Sequence, residues 1–344
     1  MELRRLGRTG VEVSSLCLGA MMFGRRGNPD HGESIEMIHR ALDAGINFID
    51  TADVYSQGES EEIVGKALAG GKRDDVVLAT KVHGTMGEGP NRSGNSRRWI
   101  LEEVENSLRR LGTDWIDLYQ IHRPDPSCDL DETLGALTDL VRSGKVRYVG
   151  CSTFPAHEIV KSQWVSERGA LERFVCEQPP YSIFVRGVET AVLPVCQSYG
   201  MGVIPWSPLA SGWLTGRYRK GRELPSSKRA EVVPQRFDMT LPGNQAKLEA
   251  SEQLALLADE AGLTMVQLAI AFVLEHPAVT SAIAGPRTME HLEAYLAAAE
   301  VRLDRSVLDA IDVIVPPGTN LNAGDSGYQP PALVSAELRR RSTS

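Results

Sequence analysis

Two hydrophobic periods alternate along this chain. Short runs in which almost every position is apolar or β-branched trade places with longer stretches whose apolar residues recur at three- and four-residue steps. The first pattern predicts strands buried on both faces, the second amphipathic helices. The strand-like runs are SLCLGA (15–20), NFIDTA (47–52), VVLATKV (76–82), WIDLYQIH (115–122), VRYVGCST (146–153), FVCEQP (174–179), GVIPWSP (202–208) and VTSAIAG (279–285). Between them, Ile100, Val104, Leu108 and Leu111 share one helical face, as do Leu130, Leu134, Leu137 and Val141. Asp129 and Glu132 form a capping-box pattern before the latter, and Gly144 stands where a left-handed terminating residue belongs. This alternation, without a shift in composition, predicts one domain over 1–344: an α/β fold, a closed (β/α)8 TIM barrel with an N-terminal β-hairpin cap and an extra C-terminal helix. A doubly wound sheet is the alternative.

Three segments interrupt the alternation. LRRLGRTGVEVS (3–14) alternates apolar and polar residues around Arg8-Thr9-Gly10 and predicts the hairpin that caps the barrel bottom. HGTMGEGPNRSGNS (83–96) and the aperiodic stretch from Leu209 to Gly243 both follow strands, and in a barrel such loops lie on the catalytic face. From about Pro316 onward the Pro, Gly and Ser content predicts a largely irregular tail.

Composition narrows the function. The 344 residues, 42% hydrophobic and 24% charged, describe an ordinary globular chain. A net charge of −8 argues against a general electrostatic grip on nucleic acid or anionic lipid. No run approaches the roughly 20 apolar residues that cross a bilayer, and no apolar signal core follows Met1, so a soluble, cytoplasmic protein is expected. The cysteines Cys17, Cys128, Cys151, Cys176 and Cys196 are scattered and form no CxxC pair, which reads as reduced thiols with no metal site.

The familiar glycine-rich dinucleotide fingerprint, the P-loop, HExxH and GxSxG are all absent. What remains is a row of ionisable residues at consecutive strand ends: Asp50 with nearby Tyr55, Lys81, and His122. In a barrel these ends converge on one mouth. A tyrosine is a weak acid, but an adjacent ammonium stabilises its phenolate. A carboxylate aims that ammonium, and an imidazole can hydrogen-bond a carbonyl oxygen as it gains charge.

The runs FIDTADVY (48–55), GESEEIVGKAL (58–68), LATK (78–81) and IDLYQIH (116–122) closely resemble the aldo-keto reductase superfamily, and the likeness covers nearly the whole chain. The resemblance implies that Asp50, Tyr55, Lys81 and His122 form the catalytic tetrad, with Tyr55 as general acid, and that NADPH/NADP+ is the cofactor. It implies that Ser152, Thr153 and Gln178 hold the nicotinamide carboxamide, although the family usually has Asn where Thr153 stands. Trp206 corresponds to the aromatic that stacks on the nicotinamide. SPLASGWLTGRY (207–218) resembles the pyrophosphate segment, with Ser207, Leu209, Ser211 and Arg217 at contacting positions. In GPRTMEHLEAY (285–295), Gly285, Arg287 and His291 correspond to contacts near the 2′-phosphate, with Thr288 capping a helix, while Ala294-Tyr295 replaces the family's Glu-Asn pair near adenine. Gly19 and Met21 resemble cofactor-facing positions, and Met22, Phe23 and Tyr181 are expected as pocket walls.

The implied activity is reduction of an aldehyde or ketone to an alcohol, with a small carbonyl compound as partner, no nucleic acid and no membrane. A homo-oligomer is compatible with the sequence. Two alternatives share the fold: a nucleotide-binding regulatory subunit similar to potassium-channel β subunits, and a biosynthetic reductase of sugar or polyketide intermediates. The channel subunits typically carry Asn where this chain has His122.

Overall fold

The computed structural model describes residues 1–225 and 228–341, with only the backbone for Lys228 and Arg229. A two-stranded antiparallel hairpin, β1 (Leu3–Arg5) and β2 (Glu12–Ser14), precedes an eight-stranded parallel sheet. Its strands are β3 (Leu16–Gly19), β4 (Phe48–Asp50), β5 (Val77–Val82), β6 (Ile116–Ile121), β7 (Val146–Ser152), β8 (Cys176–Gln178), β9 (Gly202–Val203) and β10 (Ala282–Ala284). They pair in chain order, and β10 returns to β3. The ring closes where Thr280 N–H donates to Val203 O at 2.8 Å and Ile283 N–H donates to Pro205 O at 2.9 Å. All eight strand-like runs therefore contribute one strand each, and the barrel replaces the doubly wound alternative.

Helices cover the outside: α1 (His31–Asp43), α2 (Glu59–Leu68), α3 (Arg97–Leu111), α4 (Leu130–Arg142), α5 (Ala156–Gly169) and α6 (Val192–Tyr199) follow successive strands. Two apolar layers result. One lies between strands and helices; the other fills the barrel with Cys17, Phe48, Ala79, Leu118, Cys176 and Ile204, closed below by Leu6 from the hairpin. The hairpin seats tightly: Gly7 has φ 58°, and a Cβ there would stand 2.6 Å from Gly200 O.

The stretch after β9 departs from the irregular loop expected of it. It holds short helical turns at Ala210–Thr215 and Pro234–Arg236 and the helix α7 (Lys228–Val232). Trp213 is buried there and stacks on Tyr218 and Phe237, which supplies the core that the sequence period does not reveal. Next come α8 (Pro242–Glu260), α9 (Met265–Glu275), α10 (Met289–Ala298) and the expected extra helix α11 (Arg305–Ile314), which packs on α8. Among the described residues no single helix is long and apolar enough to cross a membrane.

One local expectation fails: Asp129 precedes α4 but makes no side-chain cap, and Glu132, the other half of the expected box, accepts the Arg97 N–H at 2.9 Å. The tail beyond Pro316 is largely irregular, as expected, but it is anchored. Asn320 bridges to Val185, Asp325 is buried, and a short helix, α12 (Pro331–Val334), follows.

Candidate active site

At the C-terminal ends of the strands the ionisable row becomes a cluster. Lys81, fully buried on β5, donates from Nζ to Asp50 Oδ1 at 2.5 Å, to Thr51 O at 2.7 Å and to Tyr55 Oη at 3.3 Å. Burial pulls the Lys81 ammonium down, but attraction to Asp50 and Tyr55 outweighs it and holds the group above its ordinary value. Tyr55 is presented by a turn in which Ser56 and Gln57 take left-handed backbone angles, φ 50° and 59°. Non-glycine residues held there cost on the order of 1–3 kcal/mol each and collect at functional sites. His122 closes the cluster, its ring edge-on to that of Tyr55 at 5.7 Å. Burial, then Lys81, Arg123 and His83, keep its imidazole well below the usual range, so it stands neutral.

Asp50 is held by two residues beside Lys81. Its Oδ2 accepts from Gln120 Nε2 at 3.2 Å and Gln178 Nε2 at 2.9 Å. Gln178 thus touches the ionisable cluster directly, as well as standing at the expected carboxamide position. Gln120 is not among the residues expected from the sequence; its signal is an amide in the apolar run of β6, which on a barrel strand places a polar group inside.

The remaining expected contacts ring the same mouth. Ser152 Oγ donates to Gln178 O at 2.9 Å, and Trp206 Nε1 donates to Thr153 Oγ1 at 3.3 Å. Ser207 and Ser211 both have left-handed backbones, φ 62° and 60°, and Ser211 N–H donates to Ser207 Oγ at 2.9 Å. Leu209 is half-buried between them, and Met21 is half-buried after β3. Gly19 is buried, and its missing side chain is dictated by packing: a Cβ would lie 2.7 Å from Ile283 Cγ2. Gly285 lies alongside, where a Cβ would meet Gly19 O at 3.3 Å.

At the start of α10, Thr288 caps the helix by accepting the His291 N–H. Burial lowers the His291 pKa, and the charges of Arg287 and Arg217 lower it further, so the three side chains share one neighbourhood. Two arginines, an imidazole and a helix N-terminus form a donor set suited to phosphate, and the left-handed serine turn exposes backbone to an approaching anion. These residues have the donors that a phosphate-bearing ligand requires.

Phe23 is not a pocket wall, being fully buried in the outer apolar layer. Tyr181 is, for although only 1% exposed it lines a small pocket with Trp206, Ser207 and Ser211, while its Oη donates to Glu189 and its ring packs on Phe272 and His276. Met22, half-buried on the same turn as Met21, remains at the rim. The tail supplies a wall instead. Gly327 lies so close that a Cβ would be 2.9 Å from Trp206 Cζ2 and from Thr153 Cγ2. Asp325 anchors this segment through Lys247 and through Arg236, whose Nη1 donates to Ser211 Oγ at 3.3 Å.

The family model described as "Aldo/keto reductase family" matches residues 15–316. Among curated relatives, the "Uncharacterized oxidoreductase YrpG" of Bacillus subtilis (strain 168) is 39% identical over 92% of this chain and 96% of its own. A "Probable voltage-gated potassium channel subunit beta" of Arabidopsis thaliana is 37% identical over 92% and 97%. The "Versiconal hemiacetal acetate reductase" of Aspergillus parasiticus is 36% identical over 88% and 94%.

Proposed function

The chain belongs to the aldo/keto reductase family, and from that premise we propose that it is a cytoplasmic, single-domain, NADPH-dependent reductase of aldehydes or ketones. The observation that carries the reading is the Lys81 ammonium, fixed by Asp50 and still 3.3 Å from Tyr55 Oη. Bound nicotinamide supplies the hydride that the carbonyl carbon accepts. Tyr55 then gives its hydroxyl proton to the carbonyl oxygen, and Lys81 stabilises the phenolate left behind. Neutral His122, at the edge of the Tyr55 ring, orients that oxygen by donating a hydrogen bond. Ser152, Thr153 and Gln178 hold the carboxamide, Trp206 the ring face, Ser207, Leu209, Ser211 and Arg217 the pyrophosphate, and Arg287 with His291 the 2′-phosphate. Gly19, Met21 and Gly285 line the cofactor's path.

The likeness to channel β subunits favours a second reading, a nucleotide-binding regulatory subunit. His122 beside Tyr55 supports the reductase, because a subunit that only binds nucleotide has no need to orient a carbonyl. A biosynthetic role within the family, on a sugar or polyketide carbonyl, would use the same four residues. Consumption of NADPH with a panel of simple aldehydes and ketones decides. Turnover with any of them supports the reductase; tight NADPH binding with no turnover across the panel supports the subunit.

A further inference from the structure

Behind the carboxamide position lies a buried acid that the reaction above leaves unused. Glu177 precedes Gln178 on β8, and neighbours on a strand point to opposite faces, so Gln178 faces Asp50 while Glu177 faces the outer layer. Glu177 is fully buried, and its Oε1 accepts the Phe154 N–H at 3.1 Å. That bond secures a strained turn, for Thr153 has φ 60° without being glycine. The turn carries Ser152 and Thr153, and Thr153 Oγ1 accepts from the Trp206 indole. Among the described residues, Glu177 Oε2 has no hydrogen-bond partner although it is buried.

We propose that Glu177 is a positioning residue for the carboxamide subsite, and that the subsite holds the dinucleotide more tightly when Glu177 is ionised. The inference rests on the cofactor reading given above. An ionised carboxylate accepts amide hydrogens more strongly than a neutral acid does. The titratable groups that act on it electrostatically are Cys151 from β7, Cys176 on its own strand but on the inner face, Cys196 from α6, and Arg123 from the loop after β6. Burial pushes the three thiols up, so they remain neutral and Arg123 is the charged neighbour. Burial likewise raises the Glu177 carboxyl to about 7, against the opposing pull of Cys151, the Phe154 and Thr153 amides and Arg123. Both protonation states are therefore populated near neutral pH. By linkage, each unit by which bound dinucleotide lowers this pKa strengthens binding tenfold above the transition relative to below it.

The test is direct binding of NADP+ and NADPH to the intact protein, without turnover, from about pH 5.5 to about pH 8.5. Wild type is compared with Glu177→Gln, which retains an acceptor but cannot ionise. The ratio of the two dissociation constants cancels titration of the ligand's phosphate and of His291. The ratio is expected to change about tenfold in favour of wild type as pH rises, with its midpoint near neutrality. Glu177→Asp, whose shorter side chain withdraws from the Phe154 amide, should bind about tenfold more weakly at high pH and lose the transition. A flat ratio with sound binding overturns the proposal and leaves the cofactor reading intact. Absence of dinucleotide binding at every pH overturns both.

Discussion

Replacing Asp50 by Asn tests the electrostatic core of the site, because the described residues offer that carboxylate three hydrogen-bond donors. Oδ1 accepts from the Lys81 ammonium, and Oδ2 accepts from the side-chain amides of Gln120 and Gln178. All these partners are donors. An asparagine must therefore turn its own NH2 either against Lys81 or against the two glutamine amides. The Lys81 side chain is completely buried, so its charge would lose the counter-ion that offsets desolvation. Removing one partner of a buried ion pair costs roughly 3–5 kcal/mol, and Lys81 can avoid part of that cost only by giving up its proton. Loss of the charge disables Tyr55 as an acid, a contribution of about 10² to 10⁴ in rate. Asp50→Asn should accordingly lower kcat by at least about a hundredfold and reduce unfolding free energy by a few kcal/mol. Urea unfolding and steady-state reduction measure the two effects on one preparation. A variant with wild-type stability and kcat would refute the claim that Asp50 keeps Lys81 charged.

Other outcomes follow from the same geometry. Tyr55→Phe should cut turnover by about 10² to 10⁴ while NADPH affinity stays unchanged, as read by kcat beside equilibrium binding. Arg287→Ala should weaken NADPH about ten- to hundredfold and leave NADH binding nearly unaltered, with the loss shrinking at high salt; equal weakening of both would show that Arg287 does not read the 2′-phosphate. Glu177, raised from the ordinary 4.5 to about 7 in the folded chain, stabilises the fold below about pH 4.5 and withdraws that contribution as pH rises through neutrality, by about 3 kcal/mol at most. Glu177→Gln should therefore gain stability relative to wild type between about pH 5 and about pH 8 in urea unfolding, and parallel pH curves would contradict this.

Much of this architecture was legible because a barrel strand is buried on both sides. Val77–Val82 and Ile116–Ile121 announce themselves as mostly apolar runs, and the Lys81 that interrupts the first stands out, whereas Gln120 in the second does not. Periodicity reports burial, however, and not which polar group meets which. Asp129 has the composition of a cap, yet Glu132 finds a better partner on α3. Phe23 lies near the mouth in sequence but turns into the core, while Gly327, far along a tail with no periodic signal, packs against Trp206. The helical turns around Trp213 escaped notice because an aromatic stack formed across the segment, and not a repeating face, holds them. Glu177 was hidden for a related reason: a single acid in an apolar run looks like an exception until the Phe154 amide is found above it.

The most direct test of the central claim follows the transferred atom. NADPH carrying deuterium at the transferring position of nicotinamide C4 is incubated with wild type and Tyr55→Phe in the presence of a reducible aldehyde, and the product alcohol is weighed by mass spectrometry. Deuterium is expected on the carbinol carbon with wild type, and a rate at least about a hundredfold lower with Tyr55→Phe, which still binds the cofactor. Label retained on the nicotinamide despite saturating NADPH, or equal transfer by the two proteins, would contradict it.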